Sequence, residues 1–89
     1  MVNAVLLDPK DMVVTVIREI ARGEEVSYVA DGNVRSLKAA QDIPIYHKIA
    51  IAGAEKKQHV IKYGEKIGVA LRDFAPGEHV HTHNLGSGG

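Results

Sequence analysis

The stretch from Glu25 to Leu37 constrains this chain more than any other. Glu25 to Ala30 is an apolar-rich run at strand length, and Asp31-Gly32-Asn33 follows it directly. An Asp-Gly pair supplies the positive φ angles that a tight two-residue turn needs. The chain then returns as Val34-Arg35-Ser36-Leu37, so the segment predicts a β-hairpin. The other apolar runs are equally short. Val2 to Leu7 closes on the turn signal Asp8-Pro9-Lys10-Asp11, and Met12 to Ile17 is β-branched. Val60 to Lys62, Ile67 to Leu71 and Glu78 to Asn84 are all of strand length, with Tyr63-Gly64 and Gly77 where turns or bulges are wanted. Pro44 forces an extended entry after Asp42-Ile43, and Lys48 to Ala54 reads as a strand or a single helical turn.

Two segments resemble each other. Ile20-Ala21-Arg22-Gly23-Glu24-Glu25-Val26 and Phe74-Ala75-Pro76-Gly77-Glu78-His79-Val80 both run from an apolar plug through a glycine turn into a strand. The expected class is therefore all-β: a compact domain of short strands joined by tight corners, with at most one short helix. A length of 89 residues allows one domain. It is placed at residues 1–85, with Gly86-Ser87-Gly88-Gly89 as a flexible tail or appended remnant.

Eleven basic residues balance eleven acidic ones, which argues against a partner held by bulk charge, whether nucleic acid or an anionic membrane. No segment has the apolar length to cross a bilayer, and the N-terminus does not read as a signal peptide. The chain has no cysteine, so disulfides and thiolate metal sites are excluded and a cytoplasmic location is expected. Phosphate-binding loops, nucleophile elbows and dinucleotide fingerprints are also missing from the sequence.

The segment Glu78-His79-Val80-His81-Thr82-His83-Asn84 carries the chemistry. In a strand, alternate side chains share a face, so His79, His81 and His83 would project together with His81 central. Neighbouring same-face positions lie about 7 Å apart, close enough for two imidazoles to hold one ion. All three could share an ion only if the strand bends. Imidazole without sulfur suits Fe(II), Mn(II) or Zn(II). A solvated edge strand is the simpler alternative. His47-Lys48 and Lys62-Tyr63-Gly64 are further candidates, because a lysine neutralises a carboxylate or, when desolvated, acts as a base. The ordinary reading of a lone lysine is a surface one, and His59 reads as a loop histidine.

Three segments taken together resemble a known family: Asp42 to Ala50, Val60 to Gly68, and Ala75 to Asn84. They are similar to the SAF-type (β-clip) domain that opens the altronate and galactarate dehydratases, and to the small subunit of a lyase acting on sulfolactate. The resemblance implies a hydro-lyase that removes water from sugar acids with a divalent metal, Fe(2+) or Mn(2+). It also implies that this chain is the small subunit or N-terminal domain, completed by a large dehydratase subunit or C-terminal domains. On that footing Lys48 and Lys62 are the catalytic or acid-binding lysines. His47, Tyr63 and Gly64 bind substrate, and His79, His81 and His83 are the metal residues. Tyr46 stands where the family often has glycine, which would crowd that corner. Self-association into a homo-oligomer is open. The rival expectation is a non-catalytic SAF-type ligand-binding or assembly module, since a fold does not fix a function.

Overall fold

The computed structural model describes residues 2–87. It is built entirely of strands and turns, with no helix among the described residues. The strands are β1 (Ala4–Val5), β2 (Val13–Val16), β3 (Glu25–Ala30), β4 (Asn33–Lys38), β5 (Lys48–Ala50), β6 (His59–Lys62), β7 (Glu65–Ala70), β8 (His79–Val80) and β9 (Leu85–Gly86). A four-stranded antiparallel sheet of order β1-β2-β5-β8 forms the middle of the molecule. The β3-β4 hairpin and the β6-β7-β9 sheet complete the fold.

Opposed residues in an antiparallel pair share a face, so the register assigns the two faces of the middle sheet. Val14 pairs with Ile49, and both pack with Val16, Ile20, Val26, Tyr28 and Ile43. Val13 pairs with Ala50 on the opposite face, where Val60, Ala70, Phe74 and Val80 close a second cluster. β2, in the middle of that sheet, is thus buried on both sides, which is why Val13-Val14-Thr15-Val16 reads as an unbroken β-branched run rather than an alternating one.

The expected hairpin is present, and Asp31 and Gly32 both take positive φ, 52° and 78°, as a type I′ turn requires. Tyr63 and Gly64, at 58° and 72°, turn β6 into β7 in the same way. Gly64 has a φ of 72° that L side chains rarely adopt, and a Cβ there would lie 2.8 Å from the Asp8 carboxylate, whose side chain would have to shift. Lys48 to Ala50 is a strand, which settles the helical alternative. His59 begins β6 half-buried rather than sitting in a loop. Gly86 pairs with Val69 in β9, so ordered structure enters the segment expected to be a tail. Met1, Gly88 and Gly89 lie outside the described residues.

The two similar segments prove to be two of four equivalent corners, the others being Ile43 to Ile49 and Ala54 to Val60. Each begins and ends on a buried residue. The fourth residue of each takes positive φ: Gly23 at 86°, Tyr46 at 67°, Lys57 at 76° and Gly77 at 95°. Its N–H donates to a strand carbonyl whose own residue donates back to the fifth residue, as in Tyr46 to Val16 and Val16 to His47. That exchange is a G1-type β-bulge. Ile20 bridges Ile43 and Ala54 bridges Phe74, so the corners pair and the two hairpins lie between them. Tyr46 fits its corner by turning outward, 70% exposed, in a conformation that glycine adopts without cost.

Candidate metal centre

The fifth residue of each corner has a fixed task in three of the four. Glu24 Oε1 accepts the Ala21 N–H at 3.0 Å, Gln58 Oε1 accepts that of Glu55 at 3.0 Å, and Glu78 Oε2 accepts that of Ala75 at 2.6 Å. In the remaining corner the second residue is Pro44, which has no N–H to satisfy. The fifth residue there is His47, and its side chain is free for other work. It meets the histidine segment. Nδ1 of His47 lies 2.9 Å from Nε2 of His79, and its ring centroid is 4.5 Å from that of His81.

The histidine segment is not the straight strand expected from its alternation. Only His79 and Val80 pair with β5, and the chain then turns through His81 to Asn84 before entering β9. The fully buried Asn84 makes the turn: its Oδ1 accepts the His81 N–H at 2.9 Å, and its Nδ2 donates to the His79 carbonyl at 2.8 Å. A hydrogen-bonding side chain thereby overrides the strand period. The turn is also what gathers the rings, since His79 lies 5.6 Å from His81 and 5.3 Å from His83, centroid to centroid. His79, expected at the end of the row, is the residue in ring contact with all three others.

Ligand-capable nitrogens of His47, His79 and His81 all lie within 4.8 Å of one another, and His83 stands outside that set. A divalent ion holds imidazole nitrogens at about 2.1 Å, so two ligands at right angles sit about 3 Å apart. The His47–His79 separation of 2.9 Å is that of a hydrogen bond between the two rings, and it also falls at that spacing, so an ion would replace the shared proton. Three imidazole donors with no sulfur fit a borderline divalent cation such as Fe(II) or Zn(II).

His79 has its proton affinity pushed down to about 4, first by burial and then by the charges that His47, His83, His81 and Lys48 carry when protonated. At neutral pH its lone pair is therefore available to an ion. The same shift makes stability depend on pH. Between about pH 4 and the ordinary value of 6.5, the unfolded chain binds the His79 proton and the folded chain does not. The stabilising contribution is complete above pH 6.5 and is lost as the pH falls toward 4. Urea unfolding of the metal-free chain should show lower stability at the acid end, a difference that shrinks in His79→Ala. An equal pH response in that variant would assign the effect elsewhere.

Of the remaining expected residues, Lys48 is half-buried on β5, next to His47 and close enough to His79 to act on its charge. Lys62 is in a different place. Its side chain is 2% exposed, its Nζ makes no hydrogen bond to another protein atom, and its ammonium lies 4.3 Å from the centroid of the Tyr63 ring. Burial lowers its proton affinity and Lys48 adds to that, while the Asp11 carboxylate opposes both. Tyr63 is exposed at the hairpin tip, and Gly64 donates its N–H to Asp11 Oδ1 at 2.9 Å. Lys62, Tyr63, Gly64 and Asp11 thus form a unit that fixes the β6-β7 turn. Asp11, buried between two turns, went unnoticed in the sequence because Asp8-Pro9-Lys10-Asp11 reads simply as a turn.

Residues 2–88 match the altronate/galactarate dehydratase SAF domain family. The chain belongs to that family. Within it, the chain is 43% identical over 74 residues to the altronate dehydratase of Escherichia coli (strain K12), a match covering 83% of this chain and 14% of that protein. It is 46% identical over 55 residues to the (2R)-sulfolactate sulfo-lyase subunit alpha of Paracoccus pantotrophus, covering 62% and 82%. The corresponding subunit of Chromohalobacter salexigens is 33% identical over 87 residues, covering 94% and 93%. The chain therefore matches a small part of one kind of relative, named a dehydratase, and nearly the whole of the other, named a sulfo-lyase subunit.

Proposed function

We propose that this SAF domain is the small subunit or N-terminal domain of a metal-dependent sugar-acid dehydratase, and that it brings His47, His79 and His81 to an active site completed by a larger chain. The observation that carries this reading is the convergence of the three imidazoles, with nitrogens within 4.8 Å of one another, in a family of dehydratase domains. The reaction is removal of a proton next to a carboxylate, followed by loss of the β-substituent. A divalent ion held there supplies charge stabilisation for the carboxylate oxygens as negative charge develops on them. Lys48, beside the cluster, presents an ammonium to the carboxylate of the acid and orients it. His83, exposed and outside the triad, contacts substrate or shapes the mouth of the site. Lys62 is buried at the β6-β7 hairpin, where the like charge of Lys48 acts against its ammonium.

His81 and His83 are open to solvent, and a site this exposed cannot exclude water from the reaction. A large dehydratase subunit, or C-terminal domains, must cover it. The test is to co-express the chain with candidate large subunits and assay a panel of aldonates and aldarates for dehydration with Fe(2+) or Mn(2+). The expected result is turnover by the assembled pair and none by this chain alone. Turnover by the chain alone, free of contaminating enzyme, would contradict the shared site. A second reading, release of sulfite from sulfolactate, is favoured by the coverage of 93% of one alpha subunit. Sulfolactate in the same panel, with sulfite as readout, decides between the two.

A further inference from the structure

His79 lies on β8, at the edge of the four-stranded sheet, opposite Ile49. The adjacent ladder bond runs from the Ala50 N–H to the Glu78 carbonyl, 2.9 Å. His79 therefore falls at a non-hydrogen-bonded position, with its own N–H and C=O directed away from β5. On an open edge those groups would face water or a passing strand. Here two side-chain amides take them. Gln41 Oε1 accepts the His79 N–H at 2.9 Å, and Asn84 Nδ2 donates to the His79 carbonyl at 2.8 Å. Asn84 Oδ1 also accepts the His81 N–H at 2.9 Å. The Asn84 carbonyl accepts the Leu71 N–H at 2.9 Å, which anchors the grip to the end of β7.

We infer that Gln41 and Asn84 are positioning residues that hold the N–H and C=O of His79 along the outer edge of β8 and so set its ring against those of His47 and His81. They act on the backbone of the histidines, and through it on the spacing of the nitrogens. A β-strand edge leaves a peptide free to tilt about the strand axis, and a tilt at Cα is magnified at the far end of an imidazole. The two amides remove that freedom where the sheet has no further strand to do so. The cobalt readout below rests on the proposed ion site, whereas the ring readout does not.

The test compares Gln41→Met, which keeps the length of the side chain and removes its acceptor, with Gln41→Glu, which restores the acceptor. Gln41 is exposed, so neither change threatens folding. Asn84→Leu is the companion at the buried end. In the metal-free chain, NMR cross-peaks between ring protons of His79 and those of His47 and His81 should weaken in Gln41→Met and return in Gln41→Glu. In the same proteins the dissociation constant for Co(II) should rise about ten-fold in Gln41→Met, with a changed visible spectrum, and recover in Gln41→Glu. Cross-peaks that persist unchanged in both Gln41→Met and Asn84→Leu would overturn the inference, whatever cobalt does. A wild-type chain that takes up no cobalt, yet loses the cross-peaks in Gln41→Met, would overturn the ion reading and leave the positioning role supported.

Discussion

Replacing His47 with alanine should lower divalent-ion affinity by at least about 100-fold, because removing only a group that orients a ligand already costs 10- to 100-fold. The same change should reduce turnover of the assembled enzyme by a similar factor while leaving folding nearly intact. His47 is half-buried, its corner bond is made by its backbone N–H to the Pro44 carbonyl at 3.0 Å, and its side chain caps nothing. His83→Ala is the contrast. His83 stands outside the set of mutually close nitrogens, so its loss should cost about ten-fold or less in affinity. The check is paired: isothermal titration with Mn(2+) or Co(2+), and thermal melting of each variant. Equal losses from the two substitutions would enlarge the ion site to four histidines, and no loss from His47→Ala would remove His47 from it.

The second large effect belongs to Lys62, and it falls on stability. Lys62 and Asp11 are 2% and 6% exposed, and the carboxylate acts on the ammonium through the interior. They form no salt bridge: Lys62 Nζ and Asp11 Oδ2 are each buried without a hydrogen-bond partner, so the charges meet only through space and removing one leaves the other buried at a cost of about 1–3 kcal/mol. Lys62→Met should therefore lower the melting temperature by about 5 °C or more in a domain of this size. Lys62→Met combined with Asp11→Asn removes both charges and keeps an acceptor for the Gly64 N–H, so it should recover most of the loss. Denaturant unfolding of the two single variants and the double variant gives the coupling directly. A Lys62→Met chain that melts like wild type but assembles into inactive enzyme would restore Lys62 to the chemistry.

Much of the fold can be read from local chemistry. Asp31-Gly32 specifies its turn by two positive φ angles, and the β-branched runs specify strands buried on both faces. The four-corner plan is harder to see, because the corners share little beyond buried ends and a left-handed fourth residue, which in two of them is Tyr46 or Lys57 rather than glycine. In the candidate site, the identities of the imidazoles are legible and their arrangement is not. His47 and His79 are 32 positions apart, and only the pairing of β5 with β8 brings them together. The alternation of His79, His81 and His83 predicts a strand, but the buried amide of Asn84 captures the backbone and makes a turn. The burial of Lys62 is hidden in the same way: a lone lysine ordinarily reads as a surface one, while the hairpin folds it against Tyr63.

The claim at the centre is that three imidazoles of this chain hold one divalent ion. Diffraction from crystals soaked in Mn(2+), collected to record the anomalous signal of manganese, tests it most directly. One strong peak is expected within bonding distance of nitrogens from His47, His79 and His81, absent in His47→Ala crystals. A manganese peak bound elsewhere, or none at any concentration the crystals tolerate, would contradict it.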